Sequence, residues 1–110
     1  MDKKVFRFNS NNMGTNSNQK FIVRCSRAGV FYGEIVSRNG QEVEMANVRQ
    51  IWYWDGAAAL MQLAAEGTKK PRNCKFTVEV ESLMVLEAIE IIPCTEQAIK
   101  SIESVEAWKI

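Results

Sequence analysis

The sequence contains no histidine. That removes the commonest general base near neutral pH and the commonest metal ligand. Cysteine is scarce: Cys25, Cys74 and Cys94 form an odd set with no C-x-x-C pair. Such spacing fits neither a disulfide framework nor a zinc site, and it leaves three small apolar residues suited to a reducing compartment. The six glycines are scattered, so no phosphate-cradling loop, Walker motif, dinucleotide fingerprint or G-x-S-x-G elbow is present. No apolar run approaches the roughly 20 residues of a spanning helix. Met1-Asp2-Lys3-Lys4 is followed by no apolar h-region, so no secretion signal is expected and a cytoplasmic location follows. These absences argue against an enzyme, a metal protein or a membrane protein, and no cofactor is implied.

What is present is ordinary for one globular domain: 46% hydrophobic and 25% charged residues in a chain of 110. Net charge is only +1, but it is unevenly spread. Residues 1–72 hold eleven Lys/Arg against six Asp/Glu, a net +5, and residues 73–110 hold three Lys against seven Glu, a net −4. Such a split can offer a positive face to an anionic ligand, or complementary faces to copies of the same chain. A nucleic-acid partner is not expected, because no continuous basic footprint exists.

Local patterning predicts an α+β domain over 21–110, with a mainly antiparallel sheet of about five strands and two short helices. Residues 1–20 read as a flexible N-terminal arm. Asn9–Asn18 is an Asn/Ser-rich linker, and Val5-Phe6-Arg7-Phe8 is β-prone. That tetrapeptide is either a tail or an arm that docks on a neighbouring sheet edge. Strands are expected at Phe21–Cys25, Val30–Ser37 and Glu42–Tyr53, the last two joined by a type I′ turn centred on Asn39-Gly40. The apolar phase of the third strand slips near Ala46-Asn47, which predicts a bulge. Asp55 or Gly56 should cap a helix bearing Ala57, Leu60, Met61 and Ala64 on one stripe, with Gly67 as its stop. Lys75–Glu81 reads as a half-buried strand and Val85–Ile92, mostly apolar, as a more deeply buried one. Thr95 should cap a second helix with Ala98, Ile99 and Ile102 inward, and Trp108 should anchor the end of the chain.

Two features could carry binding chemistry. In Arg49-Gln50-Ile51-Trp52-Tyr53-Trp54-Asp55 three aromatics sit together at a strand end. An extended backbone gives Trp52 and Trp54 one face, and Arg49 and Tyr53 the other. Indoles stack on bases and a guanidinium clamps phosphate, although the same residues also serve as core or interface. The loop Thr68–Asn73 adds Lys69, Lys70 and Arg72, either as a solvated basic loop or as an anion clamp joined by Arg24, Arg27 or Arg38.

Gly29-Val30-Phe31-Tyr32-Gly33, Arg49 through Ala57, Asn73-Cys74-Lys75-Phe76 and Glu87 through Glu96 together resemble an uncharacterised family of small bacteriophage- and prophage-encoded proteins, a domain of unknown function. The resemblance carries no site residues. It implies an accessory protein made inside a bacterial host. One style of such proteins is a homo-oligomeric sponge that holds a nucleotide-derived immune signal. The alternative is an inhibitor that binds a host defence protein, or a structural or regulatory phage protein.

Overall fold

The computed structural model describes residues 19–110. The expectations for the Asn-rich linker and the Phe6/Phe8 arm lie outside the described residues. The described elements run β1 (Phe21–Cys25), β2 (Val30–Asn39), β3 (Glu42–Tyr53), α1 (Leu60–Glu66), a 3₁₀ turn (Pro71–Asn73), β4 (Lys75–Phe76), β5 (Val80–Val85), β6 (Ala88–Pro93) and α2 (Glu96–Glu103). This is the expected α+β domain with an antiparallel sheet, built from six strands rather than about five.

The sixth strand arises because Lys75–Glu81 does not form one unit. β4 pairs with the end of β3, and β5 pairs further back along the same edge of β3. Thr77 breaks the run: its amide bonds Gln50 O at 3.0 Å and its hydroxyl accepts from Gln50 N at 2.8 Å. β5 and β6 then behave as one bent strand. At the bend, Glu87 O accepts from Ser26 N while Ala88 N donates to Gln41 O, both at 3.0 Å. Below it the strand follows β3, and above it β1. The sheet therefore rolls over on itself. The expected deep burial of Val85–Ile92 does not hold, since Leu86 and Ile89 face solvent at the bend.

The rolled sheet has two cores, one on each side. Phe21, Val23, Ile35, Val43, Met45, Val48 and Val85 fill the inside of the roll. Ile22, Tyr32, Ile51 and Phe76 form the outer face, against Leu63 and Ala64 of α1 and Ala98 and Ile102 of α2. Burial on both faces explains why Phe21-Ile22-Val23 is apolar without alternation. The bulge predicted in β3 is present: Glu34 pairs with Ala46 and Tyr32 with Arg49, leaving an extra residue where Asn47 takes φ 52°. Asn tolerates that left-handed conformation better than most residues.

Two local expectations need correction. The β2–β3 turn is centred on Gly40-Gln41, because Asn39 still pairs with Glu42. Only Gly40 has positive φ (63°), the pattern of a II′ rather than a I′ turn. Helix α1 begins at Leu60 with Ala59 as N-cap, not at Asp55 or Gly56. No side chain caps it; Gln62 Oε1 instead accepts a bond from Ala58 N, just before the N-cap, at 2.7 Å. The start also rotates the buried stripe: Leu60, Leu63 and Ala64 face in, while Met61 is exposed. α2 agrees with expectation, with Thr95 Oγ1 accepting from Ala98 N at 3.1 Å.

Candidate functional site

The aromatic run at the end of β3 is divided by the fold. Ile51 is buried on the helix side, and Trp52 and Tyr53 emerge beyond it at 57% and 49% exposure. Trp54 turns back against the helix-side core, and its indole N–H donates to Ala57 O at 3.3 Å. Arg49 is buried, contrary to the reading that placed it on a ligand. Its Nε donates to Thr77 O at 3.0 Å and its Nη1 to Ile102 O at 3.3 Å. Its Nη2 donates to Val105 O at 2.8 Å and Phe76 O at 3.4 Å. Burial pulls the Arg49 pKa down, with Glu79, Tyr32 and Glu103 opposing. The backbone carbonyls take the place that a phosphate was expected to fill.

Those carbonyls belong to β4 and the residue after it, the end of α2 and the turn that follows, so Arg49 fastens the C-terminal tail to the sheet. The tail then runs beside β4. Ala107 bridges Phe76 in parallel, and Trp108 N donates to Phe76 O at 2.8 Å. This sets the Trp108 ring 5.0 Å from that of Trp52, tilted by 40°. Trp108 is thus no buried anchor; it remains 44% exposed. Lys75, registered opposite Tyr53, holds its ammonium 5.9 Å from the Trp52 ring centre and 5.4 Å from that of Trp108. At an exposed site each such cation–π contact contributes about 0.5–1 kcal/mol.

Beside Trp108 lies an open cleft of about 580 Å³, lined by Pro71, Arg72, Cys74, Ser104, Glu106 and Ala107. The basic loop reaches this cleft because it is tied to the segment after Trp54. Lys69 N donates to Gly56 O at 3.1 Å, Thr68 Oγ1 to Asp55 O at 2.5 Å, and Asn73 Nδ2 to Asp55 Oδ2 at 3.0 Å. Gly56 has φ 84°, and any side chain there would collide with the loop backbone at Lys69 and Lys70. Asp55, expected as a helix cap, instead organises this corner. Bonds from Asn73 and Gly56 N hold its carboxyl below the usual range.

The fold thus links Trp52 through Trp108 to the cleft that Arg72 edges, with Tyr53 exposed next to Trp52 in sequence and Lys69 and Lys70 exposed on the loop of Arg72. It withdraws Arg49 and Trp54 into supporting roles. Arg24 and Arg27 do not join the loop, since Arg24 pairs with Glu90 across β1 and β6 and Arg27 with Glu87 at the bend before β6. Arg38 donates to Gly40 O at 2.8 Å. Sequence reasoning missed Lys75 and Trp108 as partners of Trp52, because their meeting depends on the tail pairing with β4, which no local pattern announces. Among the described residues no cluster of three or more side chains is placed to hold a metal ion. The three cysteines are free and buried, and burial pushes the Cys94 thiol up to about 12.

A family profile described as a domain of unknown function matches residues 18–102, from the start of β1 almost to the end of α2. The chain belongs to the DUF6948 family. No curated protein and no solved structure matches it. Within the DUF6948 match lie Trp52, Tyr53, Arg72 and Lys75, whereas Glu106 and Trp108 lie beyond it. Among the described residues no helix is long and apolar enough to cross a membrane.

Proposed function

We propose that this chain is a non-catalytic binding protein that takes up a nucleotide-like anionic ligand at the Trp52–Trp108 cleft. One observation carries the reading: two half-exposed indoles sit together beneath the ammonium of Lys75, next to a cleft edged by Arg72. Outer indole faces are stacking surfaces for a base, and the cations meet phosphate. Lys69 and Lys70 extend the positive rim. In the setting that the sequence resemblance implies, the protein is a bacteriophage or prophage product acting in the host cytoplasm. There a homo-oligomer sequesters a nucleotide-derived immune signal without consuming it.

The test is native mass spectrometry of the full chain with a panel of cyclic dinucleotides and cyclic ADP-ribose isomers. The expected result is an intact bound nucleotide. Trp52→Ala and Trp108→Ala each remove a stacking surface worth about 1–3 kcal/mol, a loss of roughly 5- to 150-fold in affinity. Unchanged affinity in both variants, on folded protein, rules out this site.

Glu106 favours a second reading. Its carboxylate lines the same cleft and opposes an anion, while exposed Trp and Tyr residues also make protein-interface anchors. On that reading the patch grips a host protein. Recovery of one stoichiometric host protein whose binding is lost in Trp52→Ala, together with no bound nucleotide, would select it.

A further inference from the structure

The bend between β5 and β6 opens a second surface, remote in origin from the tryptophan cleft. At Ala88 the strand is held on both sides, by Gln41 and by its register with Cys25. Followed back along β5, the strand stays with β3 and parts from the β1–β2 loop. The gap is a groove of about 430 Å³, edged by Phe31, Leu83, Met84 and Leu86, with the Arg27–Glu87 pair on its rim. Met84 and Leu86 are 46% and 62% exposed. No described strand pairs with the second edge of β5, so alternate backbone N–H and C=O groups point outward there. Edge strands are usually blunted by lysine, proline or a covering element. β5 has neither residue, and the only charge within it is Glu81, with Glu79 just before.

An open edge beside an apolar slot, with carboxylates at one end, fits an added strand that is apolar along one face and basic at its start. The chain contains such a segment in Lys3-Lys4-Val5-Phe6-Arg7-Phe8. We infer that the β5 edge and its groove take up residues 3–8 of a second copy of this chain. In a run parallel to β5, the basic start at Lys3-Lys4 lies at the end of the edge that carries Glu79 and Glu81. Phe6 and Phe8, two residues apart and so on one face, enter the slot at Leu83–Leu86. The donor is a second copy because β1 runs toward the groove. Gln19, whose side chain donates to Cys94 O at 3.3 Å, marks the opposite end, away from that copy's own groove. The ten residues Asn9–Asn18 reach at most about 33–36 Å, enough to cross to a neighbour. Reciprocal exchange closes a two-fold dimer.

The test uses full-length protein, with mass read by native mass spectrometry and by light scattering after gel filtration. Wild type is expected to be a dimer. Leu86→Asp, on the acceptor side, and the double change Phe6→Asp/Phe8→Asp, on the donor side, should each weaken it by about 100-fold or more and give monomers. Leu86 is exposed, so far-UV circular dichroism should be unchanged. Mixing the two monomeric variants should restore a dimer, because one intact segment can still meet one intact groove. A monomeric wild type, a dimer persisting in either variant, or a mixture that stays monomeric overturns the inference. Nucleotide binding at the tryptophan cleft is read separately and decides nothing here.

Discussion

Replacing Arg49 with Met keeps most of the side-chain volume and removes every hydrogen bond of the guanidinium. Two of its acceptors keep another donor: Phe76 O has Trp108 N, and Ile102 O has Val105 N. Thr77 O and Val105 O lose the donor that Arg49 supplies. A buried polar group left unmade costs about 1–3 kcal/mol, so the two together cost about 2–6. Relief of the desolvation that already depresses the Arg49 pKa offsets part of this. A net loss of about 3 kcal/mol is expected, large against the 5–15 kcal/mol typical of a domain. With a urea slope of about 1–3 kcal/mol/M, the unfolding midpoint should fall by roughly 1 M or more. Arg49→Lys keeps charge and three donors but not the planar fork, and should fall between. Urea titration followed by tryptophan fluorescence gives the midpoint, and near-ultraviolet circular dichroism reports the Trp52–Trp108 pair. A midpoint within about 0.3 M of wild type would refute the keystone role. Loss of stability with an unchanged tryptophan signal would refute only the claim that Arg49 positions Trp108.

Gly67 has φ 82° and abuts α2, so the methyl of Gly67→Ala would run into the side chain of Ser101. Left-handed strain and overpacking together cost about 2–4 kcal/mol, a melting temperature lower by about 10 °C or more; a drop of only a degree or two contradicts this packing. Glu87 should titrate near 2 by carbon-detected NMR, held down first by Arg27 and then by Ser26. Because its folded pKa lies below the ordinary 4.5, its stabilisation is present above that value and fades as pH falls toward 2. Arg27→Ala should raise the midpoint toward 4.5, and a midpoint that stays put would mean the pair does not persist in solution.

Much of the fold was legible because it rests on local rules. The apolar β-branched content of β1 to β3, the phase slip at Ala46-Asn47 and the Thr95 cap each follow from residues within a few positions of one another. Two of the misreadings share one cause. Asp55 looks like a helix cap until Asn73, Thr68 and Gly56 compete for its oxygens. Lys75–Glu81 alternates like one strand until Thr77 is tied to Gln50. Each was decided by a partner far along the chain.

The candidate site divides the same way. The order of residues is enough to show that the chain lacks histidine and the standard catalytic motifs, and that it concentrates aromatics at the end of β3 and cations in the loop after α1. Composition and neighbour spacing are properties of the chain before it folds. Which of those residues face solvent depends on long-range packing. Burial and hydrogen bonding select between identical side-chain chemistries: Arg49 went to four carbonyls, Trp54 went to the core, and Trp52 was left outside to meet Trp108 and Lys75. That meeting requires the C-terminal tail to lie along β4, a non-local pairing held by backbone bonds and by the Arg49 guanidinium, whose partners lie far along the chain.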